Sequence, residues 1–248
     1  MPWLTHTTSS LYDAALALVY PQACAVCRAH VESRADGVAC AVCWEASRIF
    51  SGAETMCWKC GALASGTIAE EERAMVRCRR CDDEAFTAAR ACGVYEGALR
   101  ASVLALKREA HVPARLARLM HEAQQRAPLA LATCIVPVPL HPERARERGF
   151  NQAAVLAASL ARRTGLPLDD GSLVRTLHTE RHRAGMDARA RRESVQEAFT
   201  VERPRLVRGE RILLIDDVFT TGATVSSCAR ALRAAGAQEV FVLTVARP

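Results

Sequence analysis

Two groups of residues in this chain have the types and spacing to do chemistry. The first lies in RILLIDDVFTTGATVSSCARAL, residues 211–232, where Asp216 and Asp217 precede Thr220, Thr221, Gly222, Ala223 and Thr224. Paired carboxylates accept hydrogen bonds from hydroxyl groups. A small-residue turn that opens a helix offers free N–H groups and a partial positive charge, which suit phosphate. Gly222 lets the backbone approach a ligand closely, and the three threonines add hydroxyl donors. One such turn grips both ends of a ribose 5-phosphate. An isolated aspartate pair would read as a helix cap. The full order of apolar strand, two acids, hydroxyl-rich turn and helix favours the ligand.

The second group is eight cysteines in four CxxC pairs: Cys24, Cys27, Cys40 and Cys43, then Cys57, Cys60, Cys78 and Cys81. Twelve residues separate the first two pairs and seventeen the last two. This is zinc-ribbon spacing, two structural Zn²⁺ sites of four thiolates each. Iron fits the same donor set. Sequential pairing suits the spacing, and crossed pairing between units stays open. A closed four-thiolate site has no free position for chemistry, so folding or docking is its expected role. Cys92, Cys134 and Cys228 are isolated and read as core thiols.

A third stretch, IVPVPLHPERARERGFNQA (135–153), holds Pro139, Leu140 and His141, then Arg144, Arg146 and Arg148, then Asn151, a good N-cap. Prolines stiffen such a loop, and forked arginine donors match pyrophosphate oxygens. Read alone, it reads more readily as a solvated charged loop than as a functional one.

The elements that must position these groups change at residues 84–90. Cysteine-rich chain precedes that point, and alternating strand and helix patterns follow it. The pattern predicts helices over 98–108, 113–125, 151–164 and 224–235. It predicts strands within 91–97, 133–138, 172–176, 198–201, 212–215 and 239–245. The continuous apolar run Ile212–Ile215 is the expected centre of a parallel sheet. The fold class is therefore α/β, a doubly wound parallel sheet, with a small N-terminal cysteine domain over 1–88 and the sheet domain over 89–248. A short helix carrying Leu11 to Val19 is expected ahead of the cysteines.

Half of the 248 residues are apolar, which excludes global disorder. The start of the chain has no basic, long apolar leader, and no run approaches the roughly 20 residues of a membrane helix. These features predict a cytoplasmic protein with reduced thiols and no membrane insertion. The net charge of +6 is unevenly spread. Residues 1–90 carry 9 Lys+Arg against 11 Asp+Glu, and residues 91–248 carry 24 against 16. Two zinc tetrathiolates lower the total to about +2, too little to mark a nucleic-acid groove.

The aspartate–threonine segment resembles the 5-phosphoribosyl 1-pyrophosphate (PRPP) motif of type I phosphoribosyltransferases. With PVPL at 137–140, Arg144, RGFNQ at 148–152, the Y-x-G-x-L-R segment at 95–100, Leu106–Lys107 and the CxxC-rich start, nearly the whole chain resembles the ComF family of competence-associated phosphoribosyltransferase-like proteins. The resemblance implies that Asp216 and Asp217 contact the ribose hydroxyls and that Thr220 to Thr224 cradle the 5-phosphate. It makes Pro139 to His141 a pyrophosphate loop and Arg144 to Asn151 a mobile lid. It implies Mg²⁺ bound with PRPP and transfer of phosphoribosyl to an acceptor. Lys107, one of two lysines in the chain, is a further candidate, read equally as a surface charge. Between Arg175 and Phe199 the sequence departs from the family pattern, with His182 or Arg183 and Ser194 at positions usually Gln and Asn. This hood would overlie the acceptor. Its six arginines make single-stranded DNA, or a DNA-uptake protein, a candidate partner. The competing class is a non-catalytic PRPP-sensing or DNA-uptake accessory protein.

Overall fold

The structure is a computed structural model that describes residues 22–176 and 198–248. The expected helix at 11–19 and most of the hood, including His182, Arg183 and Ser194, lie outside the described residues.

Four strands form one parallel sheet in the order β1 (Ala88–Val94), β6 (Glu239–Arg247), β5 (Arg211–Val218), β2 (Cys134–Pro137). The central pair reads RILLIDDV and EVFVLTVAR because both faces are covered, as parallel strands require. Successive residues feed two cores. Leu213, Ile215, Phe241 and Leu243 join one, and Ile212, Leu214, Val240 and Val242 join the other. The first core takes α2 (Gly97–Leu106), α3 (Ala114–Gln124) and α5 (Gln152–Thr164) through Leu99, Leu116, Met120, Leu156 and Leu160. The second takes α6 (Ala223–Ala234) through Val225, Cys228, Ala229 and Leu232, an i, i+3, i+4, i+7 stripe. Cys92, Cys134 and Cys228 are all buried, as expected for core thiols.

Three details differ from the sequence reading. β5 runs to Val218, because Asp216 and Val218 stay in register with Thr244 and Ala246 of β6. The strands β3 (Leu173–Arg175) and β4 (Phe199–Val201) pair with each other, antiparallel, and form a separate two-stranded sheet. Residues 142–148, read as loop, form a short helix, α4 (Pro142–Arg148). Pro142 presets its first turn, the His141 ring accepts a hydrogen bond from the Glu143 N–H, and Gly149 closes it at φ 78°.

The cysteine-rich segment clasps the outer edge of β1. Phe50 N–H donates to Cys92 O (2.8 Å), Val94 N–H to Arg48 O (3.0 Å) and Ala89 N–H to Lys59 O (2.7 Å). An edge strand with unpaired donors invites aggregation, and these bonds occupy them. Gly93 is required there, since a Cβ would lie 2.3 Å from Arg48 O. The first unit, with α1 (Ala41–Glu45), sinks Trp44 into the first core, while Cys57, Cys60, Cys81 and Phe86 join the second. The two units thus sit on opposite faces of the sheet edge. Among the described residues no helix is long and apolar enough to cross a membrane.

Candidate functional site

β5 carries Asp216 and Asp217 to the carboxyl end of the sheet, where open parallel sheets bind ligands. A cleft of about 190 Å³ opens there. Of the predicted residues, Lys107, Pro139, Leu140, Arg144, Arg148, Asn151, Asp216, Asp217 and Thr224 line it. Thr220, Thr221, Gly222, Ala223 and His141 do not; Thr220 and Thr221 are exposed on the adjoining turn. Val138, Gln152 and Arg175 line it without having been picked out for it. Gln152 was legible only as part of RGFNQ. Arg175, expected only as part of the hood over the acceptor, lines the cleft itself from the end of β3, which pairs with β4.

Local bonds explain the shape. Val138 N–H donates to Ile215 O (2.9 Å), carrying sheet pairing past Pro137 and holding the proline loop beside the aspartates. Asn151 Nδ2 donates to Val138 O (2.9 Å), while its Oδ1 accepts from Ala153 N–H (3.0 Å) and caps α5. Arg148 donates to Gln152 Oε1, which joins the end of α4 to the first turn of α5. Gly222 sits at φ 84°, and a Cβ would lie 2.9 Å from the Phe219 ring. The turn and that ring require the glycine.

Four cations, Lys107, Arg144, Arg148 and Arg175, face two carboxylates, so the cleft favours an anionic ligand that also carries hydroxyls. Lys107 Nζ stands 3.5 Å from Asp217 Oδ2, yet that buried oxygen accepts no hydrogen bond. An orphaned buried acceptor fits a ligand hydroxyl or a hard divalent cation. Asp217 N–H donates to Asp216 Oδ1 (2.8 Å). Burial, and then the charge of Asp217, push the Asp216 carboxyl up to about 7.

This shift predicts a pH effect on the ligand-free protein. The folded value lies above the ordinary 3.8, so ionisation of Asp216 costs stability as pH rises from about 4 to 7. Asp216→Asn removes that cost. Its melting temperature is expected to exceed wild type by a few degrees at pH 8 and to match it near pH 4. This corresponds to about 1–2 kcal/mol once solvent access to the strand end is discounted. Equal differences at both pH values would contradict the assignment.

The cysteines gather into two clusters, Cys24/Cys27/Cys40/Cys43 and Cys57/Cys60/Cys78/Cys81, with all Sγ atoms of a cluster within 4.8 Å of one another. The pairing is sequential. Sγ–Sγ distances of 3.6 Å (Cys27–Cys40), 3.6 Å (Cys57–Cys81) and 3.5 Å (Cys60–Cys78) suit a tetrahedron, for which Zn–S bonds of about 2.3 Å give edges near 3.8 Å. Burial opposes ionisation of Cys24, but the N–H groups of Cys27, Cys40 and Val26 outweigh it and bring the thiol down to about 6. Cys57 is likewise brought to about 6, against burial, by N–H groups of Cys60 and Cys78. Each cluster thus stabilises a thiolate before metal arrives.

The doubly wound parallel sheet, with its acidic strand end and helix-opening turn, defines an α/β protein of the type I phosphoribosyltransferase kind carrying an N-terminal zinc ribbon. Family models agree. Residues 150–248 match the phosphoribosyl transferase domain, and residues 15–82 match the double zinc ribbon domain. The DNA utilization protein YhgH of Escherichia coli O157:H7 is 31% identical over 238 residues, covering 93% of this chain and 99% of that one. Competence protein F of Haemophilus influenzae is 35% identical over 140 residues, 53% of this chain and 59% of that protein. Among solved structures, the glutamine PRPP amidotransferase of B. subtilis overlaps 59% of this chain and 26% of its own, at 20% identity and TM-score 0.38. The chain belongs to the ComF family, and its cysteine clusters are structural zinc sites.

Proposed function

We propose that the cleft binds PRPP together with Mg²⁺ and transfers its 5-phosphoribosyl group to an acceptor. The observation that carries this reading is the convergence of Asp216, Asp217 and four cations on one cleft at the sheet's carboxyl end, with Asp217 Oδ2 ion-paired to Lys107 but accepting no hydrogen bond. In this reading the carboxylates accept from the ribose hydroxyls. The turn Thr220–Thr224 and the start of α6 hold the 5-phosphate on free N–H groups. Pro139 to His141, with Arg144, Arg148 and Lys107, hold the pyrophosphate and draw off the charge it gains as the C1–O bond breaks. Arg144 to Asn151 act as the lid. Asp216 and Asp217 would hold Mg²⁺ through hard oxygens, and the ion supplies charge neutralisation at the leaving group.

The division at residue 88, into a double zinc ribbon and a transferase domain, belongs to the same proposal, as does a cytoplasmic location. Two relatives carry names for competence and DNA utilization, which supports a role linked to DNA uptake. Single-stranded DNA or a DNA-uptake protein is the partner we propose for the arginine-rich hood. A PRPP sensor without transfer would use the same cleft.

Titration calorimetry tests the reading. PRPP with Mg²⁺ is expected to bind with one site per chain, and binding is expected to weaken strongly without the ion. Pyrophosphate release across a panel of nucleobases then separates transferase from sensor. Absence of PRPP binding to the zinc-loaded protein would remove the proposal.

A further inference from the structure

The second zinc cluster and the phosphate turn share one residue, Arg247. Its Nη1 donates to the carbonyl of Cys60, a cluster member, at 2.7 Å. Its guanidinium also lies over the Phe219 ring, 5.4 Å from the centroid. A zinc tetrathiolate carries a net charge near −2, and a partly buried guanidinium beside it offsets that charge. Phe219 is the first residue after β5 and opens the turn. Its N–H donates to Ala246 O (2.9 Å), and its ring packs edge-on against Phe86, 5.9 Å between centroids. The same ring fills the space that a side chain at position 222 would need. Ser226 Oγ, in the first turn of α6, accepts from Ala85 N–H (3.1 Å) and ties the helix start to the chain that follows Cys81.

We infer that Arg247 is a positioning residue that couples the second zinc cluster to the turn Phe219–Thr224, so that zinc occupancy there and ligand affinity in the cleft reinforce each other. This rests on the PRPP reading for its ligand, and on the four-thiolate fit for its metal. The first cluster has no such bridge to the turn among the described contacts. Its own link runs from Cys43 O through Ser47 Oγ (2.8 Å) to the Ala98 N–H at the start of α2 (2.9 Å). Coupling of this kind is reciprocal: whatever factor zinc adds to ligand affinity, ligand must add to zinc affinity.

Arg247→Met keeps the stem and removes the donor and the charge; Arg247→Gln, which also removes the charge and shortens the reach to the Cys60 carbonyl, replaces it in all three readouts if the first variant folds poorly. Three readouts are taken on zinc-loaded full-length protein. Hydrogen exchange of the ligand-free protein is expected to quicken in peptide 216–226 of Arg247→Met, with α5 peptides unchanged. PRPP affinity is expected to fall by roughly tenfold, at the low end of usual site-to-site couplings. In wild type, saturating PRPP is expected to slow chelator extraction of one zinc equivalent selectively, and in Arg247→Met that selectivity is expected to vanish. Unchanged exchange at 216–226, an unchanged PRPP affinity, or equal protection of both zinc ions in wild type would each overturn the coupling. Wild-type protein that binds no PRPP removes the proposed function instead, while the exchange readout still decides whether Arg247 holds the turn.

Discussion

Replacing Asp216 and Asp217 together with asparagine is expected to weaken PRPP binding by about 10²–10⁴-fold, because two charge-assisted hydrogen bonds are lost at about 1.5–3 kcal/mol each. The change is close to isosteric, so the cleft keeps its shape. The pair also sits at the mouth of a sheet whose core residues are untouched, so the fold should survive; the loss of carboxylate repulsion even favours it above pH 7. Lys107 then loses its 3.5 Å partner and the cleft becomes purely cationic. That distinguishes the proposal from simple anion capture. If the cleft merely collects phosphates, the double variant should bind PRPP more tightly, not less. Calorimetry on both proteins reads the sign directly. A loss smaller than about fivefold would show that the carboxylates do not face the ribose.

Removal of zinc is the second large expected effect. Structural four-thiolate sites contribute about 10–16 kcal/mol of apparent folding energy in small domains, as much as the whole stability of a typical domain. Here the ribbons also cover the β1 edge and supply Trp44, Phe86 and several cysteines to the two cores. A strong chelator is therefore expected to release about two zinc equivalents and to abolish the cooperative melting transition, with aggregation as the bare edge of β1 pairs between molecules. Cys24→Ser and Cys57→Ser should each lower the zinc content by about one equivalent. Protein that melts normally with fewer than one equivalent bound would rule out two structural sites.

Local signals made the strands, the four longer helices and the cysteine clusters legible. The apolar run at 212–215 had to be a buried parallel strand, since nothing polar interrupts it. Val225, Cys228, Ala229 and Leu232 recur at helical spacing, and the helix is there. CxxC pairs announce metal because the spacing alone turns two thiolates to one ion. What failed locally was decided by neighbours. β5 extends through its aspartates because β6 continues to offer partners opposite them. The arginine stretch forms α4 because His141, Pro142 and Gly149 cap it, although its composition reads as loop.

By itself, then, the sequence determined which residues are chemically capable: two acids at a strand end, a phosphate-sized turn, a cationic loop and eight thiolates. Each of these is written in neighbours within about twenty residues, where periodicity, caps and ligand spacing act. Only the tertiary structure decided how they combine. It brought Lys107, Arg144, Arg148 and Arg175 to one cleft from three separate elements, the end of α2, α4 and β3. It set the ribbons on either side of the β1 edge, and placed Arg247 between the second cluster and Phe219, 187 residues beyond Cys60. Such contacts leave no periodic trace, because the packing of a shared core, not the order of the chain, creates them.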